Sequence, residues 1–252
     1  MSTHNQPGSE QEMFARVLSH DVASLIRSAR QLSAYTREDI LREDADSAMH
    51  ALGMLDVRLA HLDRFFVDLI RYYRAGQRHG DVVQFSMTEI LREAYSRVSM
   101  PASAQLRLSC EVDMVVADIT LLRTVLHELF ENTLKHHQDP GELIVSVEVA
   151  QGKDQRTMVT ISDNGPGVAP STGSRVLDPF FKVNSRAGSA GLGLSICKRE
   201  LESAGGSIYV LPSADGFSVG ITLPREASAR YDERKPSIEP LRKGSTPELK
   251  LV

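Results

Sequence analysis

The sequence predicts an α+β protein in two parts: an N-terminal helical hairpin, which pairs with a second copy as a dimeric four-helix bundle, followed by an α/β sandwich. Three observations carry this. Leu52, Leu55, Leu59, Leu62, Phe66, Leu69 and Tyr73 recur at alternating steps of three and four residues, a regular heptad seam. Beyond residue 81, helix-period segments are interspersed with alternating, strand-like ones, mostly suited to antiparallel pairing. Between the two lies "RAGQRHGD", Arg74 to Asp81, a polar break containing glycines. The hairpin is accordingly assigned to residues 11–78 and the sandwich to 81–225. Residues 1–10 and 226–252 are read as disordered, the tail because it is rich in charge, Pro and Ser.

Taken in order, the first helix is predicted from Gln11 to about Ile40. Phe14, Leu18, Val22, Leu25, Ala29 and Leu32 share one face of it. A turn is expected within Thr36 to Ser47, and the seam helix follows. Two seams this long cannot both be buried in an isolated hairpin, which is why a homodimer is inferred. In the second part "FSMTEILREAYSRV" reads as a helix, and "LRLSCEV" and "DMVVAD" as strands. The helix "ITLLRTVLHELFENTLKHH" precedes a "DPGE" turn. "LIVSVEVA" and "TMVTISD" are strands, "GLSICKRELESA" is a helix, and "GSIYVLPS" with "GFSVGITLP" forms a hairpin.

Composition excludes several classes. The chain has 252 residues, 41% hydrophobic and 25% charged, ordinary values for a globular protein. A net charge of −4 gives no electrostatic case for nucleic-acid binding. No apolar run approaches the ~18 residues of a membrane span, and the polar start has no signal-peptide core. The two cysteines, Cys110 and Cys197, suit a reducing compartment. The expectation is a cytoplasmic protein with neither a membrane nor a nucleic-acid partner.

Three segments suggest chemistry. In "HELFENTLKHH", Glu128, Asn132 and Lys135 lie on one helical face, opposite Leu122, Val125, Leu126 and Leu129. A carboxylate, an amide and an ammonium in line suit a hydrated metal ion and phosphates, though a solvated face with an ion pair has the same pattern. In "ISDNGPGV", Asp163 ends a strand and Gly165 and Gly167 follow. The carboxylate is suited to a ligand amine; a plain turn is the bland alternative. In "GSAGLGLSICKRELESAGG", glycines 188, 191 and 193 run into a helix start, a place that favours phosphate.

A fourth feature is His20. At about 100° per residue it lies about 200° from Leu18, away from the apolar face. Asp21 adjoins it, and Ser24 is one turn along. An exposed imidazole beside a carboxylate is a plausible phosphoryl acceptor.

The order and spacing of these segments resemble the sensor histidine kinases, whose ATP-binding (Bergerat-type) fold is shared with gyrase, Hsp90 and MutL. "ELFENTLKHH" resembles the N box, "DNGPGV" the G1 box, "DPFFK" the F box, "AGLGLSICKRELESAGG" the G2 box and "VLSHDVASL" the H box. The resemblance spans Phe14 to Pro224. It implies a kinase that uses ATP and Mg2+, phosphorylates His20 and passes the phosphoryl group to a response regulator receiver domain. A phosphatase activity, and input from a separate sensor protein, are further expectations. By the same resemblance Asp163 binds the adenine amine, Asn132 holds the magnesium and Lys135 contacts phosphate. Gly165 and Gly167 shape the adenine pocket. Gly191, Leu192 and Gly193 line the triphosphate. Residues 170–188, with Phe180, Phe181 and Lys182, form a lid. Asp21 is the base, and Ser24 stands where the family often orients water.

The sequence departs from the family pattern in three places. Leu25 replaces the proline that usually kinks the first helix, Glu128 stands where many members have Asn, and Ser189 replaces a glycine. Two other readings share these residues. One is a histidine phosphotransfer protein whose ATP-like domain is only a docking surface. The other is an ATPase with Glu128 activating water.

Overall fold

The computed structural model describes residues 7–77, 79–137, 139–152, 156–169, 171–183, 190–213 and 215–223. The first helix, α1, spans Pro7–Val17 and so begins inside the stretch expected to be disordered. Proline lacks the N–H that a first helical residue leaves unbonded anyway. Residues 1–6 and the expected tail from 226 lie outside the described residues.

Helix α1 passes through one π-helical turn, Leu18–Val22, into α2, Ala23–Leu41. A π turn inserts an extra residue into the ladder and re-aims its side chains. The helix therefore has an irregularity at His20 without the proline that Leu25 replaces. The turn to α3, Ala45–Arg74, is tighter than the expected Thr36–Ser47. Glu43 adopts φ 60°, and Asp44 caps α3 by accepting from the Ser47 N–H at 3.1 Å.

The second part begins with β1, Val82–Ser86, whose last two residues, Phe85 and Ser86, the sequence pattern places in the helix behind it. Gln84 is exposed and the other four residues are half-buried, so period-2 alternation is missing. Ser86 ends the strand and caps α4, Met87–Arg97. Then come β2, Gln105–Cys110, β3, Met114–Asp118, and α5, Ile119–His136. A 3-10 turn at Pro140–Glu142 leads to β4, Ile144–Gln151, and β5, Thr157–Asp163. Another, Gly173–Leu177, precedes α6, Gly193–Ser203, and the hairpin β6, Ser207–Leu211, with β7, Ser218–Thr222.

Strands β1 and β3 form an antiparallel pair, and the main sheet has the order β2-β4-β5-β7-β6. It is mixed, because β2 runs parallel to β4 while the other pairs are antiparallel. One core lies between this sheet and α4, α5 and α6; Leu122, Val125, Leu126 and Phe130 of α5 are fully buried in it. A second, smaller core joins the two parts: Phe14, Phe65 and Tyr72 of the hairpin pack with Leu192 and Ile196. Among the described residues no helix is long and apolar enough to cross a membrane.

The hairpin's seam is only partly used within one chain. Leu55, Leu62 and Leu69 are half-buried and Leu52, Leu59, Phe66 and Tyr73 exposed, while the buried residues of α3, Ala48, Ala51, Phe65 and Tyr72, lie beside the seam.

Candidate functional site

Helix α5 is aimed by its cap. Asp118, the last residue of β3, accepts from the N–H groups of Thr120 and Leu121 at 3.0 and 2.9 Å. Its apolar side enters the core, so Glu128, Asn132 and Lys135 are turned toward a cleft. The far wall is the start of α6, with Gly191, Leu192 and Gly193. Asp163, the last residue of β5, and Gly167 close one end, and Phe181 and Lys182 also line the cleft.

Asp163 is 8% exposed. Its Oδ1 accepts from the N–H groups of Gly165 at 2.9 Å and Phe217 at 3.2 Å. Burial pushes its carboxyl above the ordinary range, against the pull of these two N–H groups and of His137 and His136. Both braces use Oδ1, which leaves Oδ2 for a ligand donor. Gly165 thus acts by bracing Asp163. Gly167 has φ 65°, and a Cβ there would stand 2.6 Å from the Gly216 carbonyl oxygen. Gly191 has φ 73°, and its Cβ would meet the Phe181 carbonyl oxygen at 2.8 Å. Any side chain at either position would therefore be strained and would push the cleft wall.

The start of α6, whose first backbone N–H groups have no partners within the helix, lines the cleft with Gly193 and Leu194. Glu128 is nearly buried, and Arg71 of α3 donates to its Oε1 through Nη2. Lys135 pairs with Glu131, Nζ to Oε2 at 2.8 Å. His136 also lines the cleft, its imidazole pushed toward the neutral form chiefly by burial and by Lys135. Among the described residues no three His, Cys, Asp or Glu side chains converge on a metal position. A magnesium ion beside Asn132 would therefore rest mostly on phosphate oxygens and water, as that ion commonly does.

His20 is on the hairpin, outside this cleft, and its side chain is 79% exposed. Its Nδ1 lies 2.9 Å from Asp21 Oδ1. Ser24, one turn on, is exposed. The two sites meet through Lys182: it lines the cleft, and its Nζ is 3.8 Å from Asp21 Oδ2. Phe181 stays with the cleft, under the Arg175 guanidinium at 4.9 Å. Phe180 does not. It turns to the hairpin, 4.8 Å from Phe14 and 6.4 Å from Phe65 between ring centroids. Of the lid expected over 170–188, residues 170 and 184–188 lie outside the described residues, as does Ser189.

Sequence reasoning missed Asp68 and Arg71, which line the cleft from α3. Arg71 and Glu128 are 57 positions apart, beyond any helical or strand period. His136, next to Lys135, was within reach of the same helical spacing.

Residues 117–227 match the model of the family described as "Histidine kinase-, DNA gyrase B-, and HSP90-like ATPase". The alginate biosynthesis sensor protein KinB of Pseudomonas aeruginosa is 28% identical over 192 residues, 74% of this chain and 30% of that protein. The sensor histidine kinase ZraS of Salmonella typhimurium is 26% identical over 226 residues, 87% of this chain and 46% of that protein. The chain thus spans less than half the length of these relatives. The histidine kinase ThkA, solved in complex with the response regulator protein TrrA, has the same fold: TM-score 0.59 at 18% identity, over 90% of this chain and 69% of that one. The cleft therefore lies in a domain of that ATPase family, and the chain is similar to sensor histidine kinases beyond it.

Proposed function

We propose that the chain is a two-component histidine kinase that transfers the γ-phosphoryl group of ATP to His20 and then to an aspartate of a response regulator. The observation that carries this is the exposed His20–Asp21 pair joined through Lys182 to the rim of the ATP cleft. The imidazole nitrogen nearest Asp21 is Nδ1, which assigns the proton to Nδ1 and the lone pair to Nε2. Nε2 attacks the γ-phosphorus. The new N–P bond forms as the bond from phosphorus to the bridging oxygen breaks, and ADP leaves with that electron pair. Asp21 takes the Nδ1 proton. The regulator's carboxylate next attacks the phosphorus and forms an acyl phosphate as the N–P bond breaks, its electron pair returning to Nε2 and the proton returning from Asp21 to Nδ1.

Asp163 would hold the adenine amine, and the α6 start at Gly191, Leu192 and Gly193 the phosphates. Asn132 would bind magnesium, which neutralises phosphate charge when present. Ser24 is one turn from His20, a suitable place to orient water in a phosphatase reaction. The engagement of Glu128 by Arg71 weighs against a water-activating role for that carboxylate. Residues 11–78 serve as the hairpin and 81–225 as the catalytic domain. The exposed half of the α3 seam supports a homodimer. ThkA, captured with a response regulator, and ZraS, named a sensor histidine kinase, support the partner and the activity.

Radiolabelled ATP tests the proposal. Label is expected on wild type and not on His20→Ala or Asp163→Asn. Absence of ATP binding would favour the docking-only alternative, and free phosphate without labelled protein the ATPase.

A further inference from the structure

We propose that Arg71 completes the phosphate end of the cleft from the hairpin side, so that affinity for a polyphosphate depends on α3 being docked. The proposal rests on reading the cleft as a nucleotide site.

Glu128 is a carboxylate with a side chain 8% exposed, and a buried charge of this kind needs a partner. Arg71 donates to Oε1. Oε2 faces the start of α6, where a Cβ on Gly193 would stand 2.8 Å from it. That helix start is also the place that suits phosphate, so a polyanion arriving there meets a buried negative charge. Asp68 adds a second, with Oδ1 3.8 Å from Arg71 Nη1. Its carboxyl is pushed upward by burial and by the charge of Glu128, which marks this end of the cleft as acidic.

Among the described residues the two lysines of the cleft also have acidic neighbours. Lys135 is paired with Glu131 at 2.8 Å, and Lys182 faces Asp21 at 3.8 Å. Arg71 differs in the number and planar arrangement of its donors. A guanidinium has five N–H donors, and its planar fork matches phosphate as well as carboxylate. Its side chain is 36% exposed and lines the cleft. It can hold Glu128 with one edge and meet a phosphate oxygen with the other.

Arg71 belongs to the hairpin, as Asp68 does, while Glu128, Asn132, Lys135 and the α6 start belong to the catalytic part. Any motion that withdraws α3 removes the cation and leaves Glu128 bare beside the phosphates. Linkage then runs both ways: docking of α3 raises polyphosphate affinity, and a bound polyphosphate favours docking by the same factor.

Calorimetry on the full chain with magnesium and three probes tests this: a non-hydrolysable ATP analogue, ADP and adenosine. Arg71→Ala is expected to weaken the triphosphate analogue about tenfold or more, the loss of one charged hydrogen bond. Adenosine binding stays unchanged. Arg71→Lys keeps part of the affinity, and adding Glu128→Gln to Arg71→Ala restores the part lost to repulsion by the bare carboxylate. Equal losses for adenosine and triphosphate would overturn the proposal, leaving Arg71 a role in cleft shape alone. Unchanged triphosphate affinity in Arg71→Ala, or in Arg71→Lys should the alanine variant not fold, overturns it as well. A wild-type chain that binds none of the three probes refutes the nucleotide reading itself.

Discussion

Replacing Asp163 with Asn should separate ligand binding from stability. The carboxylate Oδ1 accepts two backbone N–H bonds, at 2.9 Å from Gly165 and 3.2 Å from Phe217, and an amide oxygen can accept both. Only Oδ2 changes: an acceptor becomes an NH2 donor facing the donor of the adenine amine. Loss of a charge-assisted bond costs about 1.5–3 kcal/mol, or about 10- to 150-fold in affinity. Stability moves the other way. The folded carboxyl titrates above its unfolded value because of burial, so its stabilising contribution is full below the unfolded pKa and is lost as pH rises through the folded one. At neutral pH the wild type bears that cost and the uncharged Asn does not. Asp163→Asn is therefore expected to melt at the same temperature as wild type or higher at pH 7, the gap closing in acid. Titration calorimetry with a non-hydrolysable ATP analogue, paired with thermal melts between pH 4 and pH 8, checks both halves. The wild type should favour the adenine over the hypoxanthine nucleotide, and the variant should lose that preference. Affinity within a factor of two of wild type would refute the Oδ2 assignment. A clearly lower melting temperature at pH 7 would show that the amide does not preserve the two braces.

Phosphate on His20 should be labile in hot acid and stable in base, as an N–P bond is; acid-stable label, or label persisting in His20→Ala, would move the nucleophile to a hydroxyl or to another histidine such as His61. Leu59→Glu and Phe66→Glu, at exposed seam positions, should convert a dimer to a monomer in sedimentation equilibrium without unfolding the catalytic part; an unaltered mass contradicts the bundle. Phe180→Ala removes two aromatic contacts worth about 0.5–1.5 kcal/mol each, and with them the packing that holds a residue at φ 63°. Amide exchange should quicken around Phe14 and Phe65 and stay slow in β4 and β5; uniform protection would show that Phe180 does not hold the two parts together.

Much of this molecule was legible in the chain because its signals are local. A helix reports itself through residues three and four apart, which is why Leu122, Val125, Leu126 and Leu129 marked the buried side of α5 and, by difference, the face with Glu128, Asn132 and Lys135. Asp163 and the glycines around it are readable because a strand end and a left-handed turn restrict residue type within a few positions. His20 beside Asp21 is a contact between neighbours, visible before any fold is known. Other features have no local signature. The parallel pairing of β2 with β4 joins strands separated by α5, and period-2 patterning says nothing about direction. The left-handed Phe180 turning to Phe14, the approach of Lys182 to Asp21 and the pairing of Arg71 with Glu128 depend on how α3 lies against the catalytic part. Shape complementarity over the core of Phe14, Phe65, Tyr72, Leu192 and Ile196 decides that placement. Contacts of that kind are set by three-dimensional packing between residues far apart in sequence, so only the tertiary structure could bring Asp21 near Lys182 and the hairpin's Arg71 into the cleft.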